Sequence, residues 1–313
     1  MKRNDEQELI GRIKLLKEKH NAVILAHYYQ DPKIQDIADF VGDSLELSRK
    51  ATSTQAEVIV FAGVHFMAET AKILNPSKKV LLPDLAAGCS LADYCSGDAF
   101  RRWRSQFPDH VTVTYINCSA DVKAQSDWVC TSANALEVIR AIPEDQPILF
   151  APDRNLGNYL IKETGRKMEL WDGACVVHEA FSMEKLLDLW KKHPEAKLIA
   201  HPESEDHLLR VSEFIGSTSA LLKYVEENDH ETFIVGTEKG ILHEMQRRVP
   251  EKLLIPAPSK ENNNCACSEC AYMKMNTLEK LYQCLLNMGP EIELDGEVME
   301  AAYRPIERML TVS

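Results

Sequence analysis

Nine cysteines in 313 residues pose the first chemical question, because thiols are kept as disulfides, as metal ligands or as small buried apolar groups. Two of them sit in matching surroundings. Cys89 follows an apolar run in "VLLPDLAAGCS" and Cys175 follows one in "MELWDGACVVHE", 86 positions apart. A third group, Cys265, Cys267 and Cys270, follows the run "LLIPAP". One thiolate from each of three such places makes a three-cysteine metal site. Iron–sulfur clusters as a rule take four protein thiolates, so three leave one iron open as a Lewis acid toward substrate oxygen or nitrogen, chemistry that suits dehydration. The rival reading is a local zinc site or redox pair within "CACSEC", which lacks the matched second pair of a structural zinc. Cys95, Cys118, Cys130 and Cys284 read as buried small side chains.

Groups able to bind substrate and move protons recur on the same period. The runs "AVILAH", "VTVTY" and "KLIAH" end at His27, Tyr115 and His201, spaced by 88 and 86 residues. A second signature follows each one: "ADFVGDS", "SDWVCTS" and "SEFIGST". Their last residues, Ser44, Ser132 and Thr218, lie 17 positions after His27, Tyr115 and His201. A lone hydroxyl there would be read as a helix N-cap; the threefold recurrence assigns the set to ligand binding, which capping does not exclude. Tyr29 and Glu203 stand two residues beyond His27 and His201, on the same face of an extended chain. Such groups serve as acid and base. His178, just after Cys175, is left between a structural and a functional role.

These residues must be delivered by repeated elements. A third set of runs, "VIVFAG", "PILFAP" and "TFIVGT", and a fourth, "VLLPD", "MELWDG" and "LLIPAP", alternate with helical patterns. Apolar runs of that length predict parallel strands with crossover helices. The expected fold is α/β, three homologous three-layer α/β/α domains with parallel sheets around a pseudo-threefold axis. The first unit covers 1–95 with 276–313, the second 96–182 and the third 183–275. The short "DFV", "DWV" and "EFI" elements are either helix ends or strands. The helix near the start and those after Asn276 are expected to pack together on the first unit. Ligands collect beyond the carboxyl ends of parallel strands, where the residues singled out above would meet.

A net charge of −12 argues against nucleic-acid binding, which needs a basic face. No apolar run reaches a membrane span, and the charged first twenty residues lack the apolar core of a signal peptide. A cytoplasmic protein is expected. No Walker loop, G-x-G-x-x-G, H-E-x-x-H or G-x-S-x-G motif occurs, so the strand ends alone must supply the chemistry.

Through "AHYYQ", "GDS", "AAGCSLAD", "YINCSA", "CTSAN", "WDGACVVHE", "AHPES", "GSTS" and "CSECAYMKMNTLEKL" the chain resembles the quinolinate synthases, nearly end to end. The resemblance implies three α/β/α domains around a 4Fe-4S cluster held by Cys89, Cys175 and Cys270. It implies condensation of iminoaspartate with dihydroxyacetone phosphate to quinolinate, with loss of phosphate and two waters, in NAD biosynthesis. An L-aspartate oxidase or dehydrogenase would supply the imine. Carried over by motif, His27, Ser44, Tyr115, Asn117, Ser132, His201, Glu203 and Thr218 bind substrate, with Tyr29, His201 and Glu203 in proton transfers. One departure is "CACSEC" in place of the C-x-x-C-x-x-C of some members, which puts a thiol switch at Cys265 and Cys267 in doubt. The alternatives are a non-catalytic iron–sulfur or zinc sensor and an aconitase-like hydro-lyase. The sensor has no use for the polar triplets.

Overall fold

The computed structural model describes residues 3–260 and 268–312. Twelve strands form three four-stranded sheets. The first contains β1 (Ala22–His27), β2 (Phe40–Gly42), β3 (Val58–Ala62) and β4 (Lys79–Leu81); the second, β5 (Val111–Tyr115), β6 (Trp128–Cys130), β7 (Ile148–Ala151) and β8 (Met168–Leu170). The third contains β9 (Lys197–Ala200), β10 (Phe214–Ile215), β11 (Thr232–Gly236) and β12 (Leu253–Pro256). All three share one strand order, second–first–third–fourth, with every pairing parallel. The central strands β3, β7 and β11 are buried throughout, because helices cover both faces of a parallel sheet. That is the expected three-unit α/β architecture.

The short "DFV", "DWV" and "EFI" elements are strands, β2, β6 and β10. The acidic residue before the first two secures them to their neighbours. The Asp39 and Asp127 carboxylates accept the Ile24 and Thr112 main-chain N–H groups, both at 2.8 Å, and close the start of each strand pair. Register then explains the spacing of 17. His27 is paired with Gly42 and Tyr115 with Cys130, so the residue two further on, Ser44 or Ser132, comes off the same sheet edge. In the third unit Ala200 pairs with Ile215, which puts His201 and Thr218 at the same place just past the strands.

One packing expectation changes. Helix Leu278–Asn287 does lie with helix Arg3–Lys19 on the first sheet, burying Leu281 and Leu285 against Ile13 and Ile24. Helix Gly296–Thr311 instead reaches the second unit. Asn134 Nδ2 donates to Met309 O at 2.9 Å, and Arg308 donates to Asp127 O at 2.9 Å and stacks over Trp128. Its apolar face, Ala302, Ile306 and Met309, joins a continuous core shared by the first two units. The helix goes there because burying that face on both units removes more apolar surface from water than the first unit alone offers. The core of the third unit, around Phe233, Leu221 and Ile234, also takes in Tyr28 from the first unit and Phe181 from the second. Among the described residues no helix is long and apolar enough to cross a membrane.

Candidate active site

The carboxyl edges of β1, β5 and β9 face one cavity, the concave setting in which small-molecule sites occur. His27, Tyr29, Ser44, Tyr115, Asn117, Ser132, His201, Glu203 and Thr218 all line it, as do Cys89, Cys175 and Cys270. Every site residue expected from sequence is thus brought to a single chamber.

The hydroxyls are not the helix caps. Asp43 caps helix Ser44–Ser53, accepting from Leu45 and Glu46 N–H, and Ser217 caps helix Thr218–Glu227 through Ala220 N–H. With the cap supplied one residue earlier, Ser44 and Thr218 sit on the first helical turn with their hydroxyls available to the cavity. The oriented N–H groups of that turn favour an anion.

His27 and His201 share a local device. Tyr29 N–H donates to His27 Nδ1 (3.1 Å), and Glu203 N–H donates to His201 Nδ1 (3.3 Å). The contact makes Nδ1 an acceptor and assigns the ring proton to Nε2. The chain past β9 therefore turns rather than staying extended, and the turn still brings His201 and Glu203 to the same wall. Burial, with the neighbouring His201 adding to it, pushes His27 down to about 3. Burial likewise pushes His201 down to about 3, against the opposing pull of Glu203. Both rings are neutral near pH 7 and offer an Nε2–H; that of His201 lies 3.0 Å from Ser132 Oγ.

A polar chain crosses the chamber. Tyr29 Oη lies 2.9 Å from Thr218 Oγ1 and 2.6 Å from Thr237 Oγ1. Thr237 Oγ1 lies 2.9 Å from His178 Nε2, and His178 Nδ1 lies 2.9 Å from Glu203 Oε2. Tyr115 Oη donates to the other Glu203 oxygen. Burial pushes the Glu203 carboxyl upward, but the His178 and His201 imidazoles and the Tyr115 hydroxyl outweigh it and hold the group down at about 2. Burial raises the Tyr29 and Tyr115 phenols well above their ordinary value, so both are protonated. His178, left open between two roles by the sequence, lines the cavity and joins this chain of contacts. Sequence reading missed Thr237, although one signal marked it: it is the polar residue at a position filled by Gly63 and Pro152 in the other repeats.

Each thiol begins a helical turn whose N–H groups point at the sulfur: Leu91 and Ala92 for Cys89, His178 for Cys175, and Tyr272 and Met273 for Cys270. Burial pushes all three upward, Cys89 to about 12, and Cys89 and Cys175 are raised further by the neighbouring sulfurs. Three half-buried thiols that line one cavity are costly as thiolates unless a cation joins them. The donor set therefore fits a thiolate-bound metal group. Ligand atoms of Cys175, His178 and Glu203 also lie within 4.8 Å of one another, close enough to share an ion. Cys265 and Cys267 lie outside the described residues. Cys95, Cys118, Cys130 and Cys284 are buried away from this cavity, in agreement with a packing role.

A family profile described as quinolinate synthetase A protein matches residues 11–311. Among curated proteins, the quinolinate synthase of Thermosynechococcus vestitus is 60% identical over 306 residues, 98% of this chain and 96% of that one. Those of Microcystis aeruginosa and Nostoc punctiforme are each 59% identical over 98% of this chain, and 95% and 94% of their own lengths are covered.

Proposed function

The chain belongs to the quinolinate synthetase A family of NAD-biosynthesis enzymes, and from that premise we propose how its chamber makes quinolinate. Iminoaspartate, supplied by an L-aspartate oxidase or dehydrogenase, condenses with dihydroxyacetone phosphate, and phosphate and two waters leave; the setting is the cytoplasm. Cys89, Cys175 and Cys270 would hold a 4Fe-4S cluster, which supplies a Lewis-acid iron free of protein thiolate for loss of a substrate hydroxyl.

The protein's own groups do the rest. Ser44 and Thr218, on first helical turns, and Ser132 bind the substrate's anionic groups, so a chain of net charge −12 needs no basic patch for them. His27, as a neutral Nε2–H donor, and Tyr115 with Asn117 orient the carbon skeleton. His201 Nε2 passes its hydrogen bond through Ser132 or directly to substrate oxygen. A substrate carbon gives its proton to Tyr29 Oη as the Tyr29 phenolic proton moves to Thr237 and the Thr237 proton moves to the bare Nε2 of His178. Run in reverse, the same line returns a proton from His178 through Thr237 and Tyr29 to a leaving hydroxyl. Glu203 Oε2, 2.9 Å from His178 Nδ1, supplies the counter-charge for the imidazolium that forms when Nε2 takes the proton.

The observation that carries this reading is the meeting in one cavity of three thiols, three helix-start or strand-end hydroxyls and a tyrosine-to-carboxylate line drawn from all three repeats. A sensor would need only the thiols. Anaerobic protein reconstituted with iron and sulfide is expected to form quinolinate from iminoaspartate and dihydroxyacetone phosphate. Well-reconstituted protein that makes none would defeat the proposal.

A further inference from the structure

Beyond its third strand each repeat makes one equivalent main-chain contact toward its cysteine. His65 N–H donates to Ala87 O at 2.7 Å, Arg154 N–H to Gly173 O at 2.8 Å, and Lys239 N–H to Ser268 O at 2.9 Å. Each acceptor stands two residues before Cys89, Cys175 or Cys270. The residue preceding each donor, two past the end of the strand, is therefore held against the cysteine turn. In the three repeats it is Val64, Asp153 and Glu238.

Asp153 and Glu238 are wholly buried, each at 0% exposure. Neither belongs to the polar line from Tyr29 to Glu203. Both spend their two oxygens on main-chain donors. Asp153 Oδ1 accepts from Leu156 N–H (2.7 Å) and Oδ2 from Cys175 N–H (3.2 Å). Glu238 Oε2 accepts from Gly240 N–H (2.6 Å) and Oε1 from Cys270 N–H (3.2 Å). A buried carboxyl group is expensive to maintain without such partners, and in both repeats the cysteine's own N–H is one of them.

We propose that Asp153 and Glu238 are positioning residues that fix the Cys175 and Cys270 turns for the metal cluster by accepting the main-chain N–H of the ligand itself. The inference rests on the reading of the three thiols as cluster ligands. The asymmetry with Val64 has a cause. Cys89 heads the five-residue helix Ser90–Tyr94, which sets its orientation, whereas Cys175 and Cys270 precede only the single 3-10 turns His178–Ala180 and Met273–Met275 and need an outside anchor. Glu238 reaches further. It pairs with Lys274 at 3.1 Å, and Lys274 Nζ donates to Tyr29 O at 2.6 Å, so one carboxyl group ties the Cys270 turn to the segment that carries Tyr29.

The amide isosteres cannot replace these groups. A carboxylate offers acceptors on both oxygens, whereas Asn or Gln turns an NH2 toward one of the two N–H donors. Groups that orient metal ligands from outside the coordination sphere change metal affinity by about 10- to 100-fold.

The test compares iron release to a chelator from anaerobically reconstituted wild-type, D153N, E238Q and L156A proteins, with iron and sulfide content and the electron paramagnetic resonance spectrum of the reduced cluster recorded for each. D153N and E238Q are expected to release iron about 10- to 100-fold faster than wild type and to alter the spectrum. L156A deletes a buried side chain from the helix that Asp153 caps and so weakens the same region while leaving the carboxyl group in place. It is expected to release iron at the wild-type rate. Wild-type rates and spectra in both D153N and E238Q would overturn the proposal, as would L156A matching the accelerated rate. If D153N does not fold, E238Q carries the test alone, since the two act in the same way. Wild-type protein that binds no cluster would mark failure of the ligand reading instead.

Discussion

Replacing Glu203 by Gln removes one charge and almost no volume from the end of the proton line. Glu203 is 3% exposed and contacts Tyr115 Oη through one oxygen and His178 Nδ1 through the other. In the wild type the Glu203 carboxylate, 2.9 Å from His178 Nδ1, supplies the counter-charge for the imidazolium that forms when Nε2 takes the Thr237 proton. In E203Q the side-chain amide keeps its oxygen on Tyr115 and turns its NH2 toward Nδ1. The neutral amide leaves the imidazolium without its counter-charge, so His178 takes the Thr237 proton less readily. General acid–base groups of this kind contribute about 10²- to 10⁴-fold, so kcat should fall within that range. The substrate-facing hydroxyls are untouched, and KM should change little. The charge itself stabilises the fold. Burial pushes Glu203 upward, but the His178 and His201 imidazoles and the Tyr115 hydroxyl hold it below its ordinary 4.5. A depressed carboxyl contributes stability above its unfolded pKa and loses it as pH falls through the folded value, so the wild type should shed this contribution between about pH 4.5 and 2 and E203Q should not. Quinolinate is measured by chromatography on anaerobic protein matched for iron content, and stability by urea midpoints against pH on the metal-free chain. E203Q with wild-type kcat at equal iron content would refute the relay.

Thr237→Val keeps the shape and removes the hydroxyl between Tyr29 and His178; kcat should drop at least about 10²-fold while the reduced-cluster spectrum stays unchanged, and unaltered turnover would place the proton path elsewhere. Cys270→Ala should abolish the visible absorption of the reconstituted cluster and Cys265→Ala should leave it; the reverse result would move the third ligand to Cys265. His27 is held at about 3 from an ordinary 6.5 chiefly by burial, so below 6.5 the unfolded chain takes up a proton that the folded chain refuses, and stability falls as pH drops from 6.5 toward 3. His27→Gln should flatten that slope in urea melts of the metal-free chain; an unchanged slope would mean that His27 is not buried in its neutral form.

Much of the fold was readable because it repeats. The strand runs ending at His27, Tyr115 and His201, and the hydroxyls 17 residues later, mark a register that recurs from unit to unit: His27 against Gly42, Tyr115 against Cys130. Repetition also separated Cys89 and Cys175 from the packing cysteines. Two local ambiguities are resolved only by the tertiary structure. Whether "DFV" was a helix end or a strand depended on ladder partners that the segment itself does not contain. Whether Ser44 was a cap depended on Asp43 filling that role first. Helix Gly296–Thr311 displays its apolar face in sequence, but the surface that receives Ile306 and Met309 exists only once the first two units share a core.

Residue order thus determined the unit, its threefold copying and the chemical types carried on each sheet edge, since those depend on side-chain periodicity and on strand register within a short stretch of chain. Folding in three dimensions decided how the copies face one another. Tyr29 meets Thr237 across 208 positions, and Glu203 reaches Tyr115 across 88. Asp153 and Glu238 bind main-chain N–H groups, which every residue but proline possesses and which leave no compositional trace. The first two contacts follow from how the units face one another and the last from how each cysteine turn packs on its own sheet, and both are properties of the assembled chain.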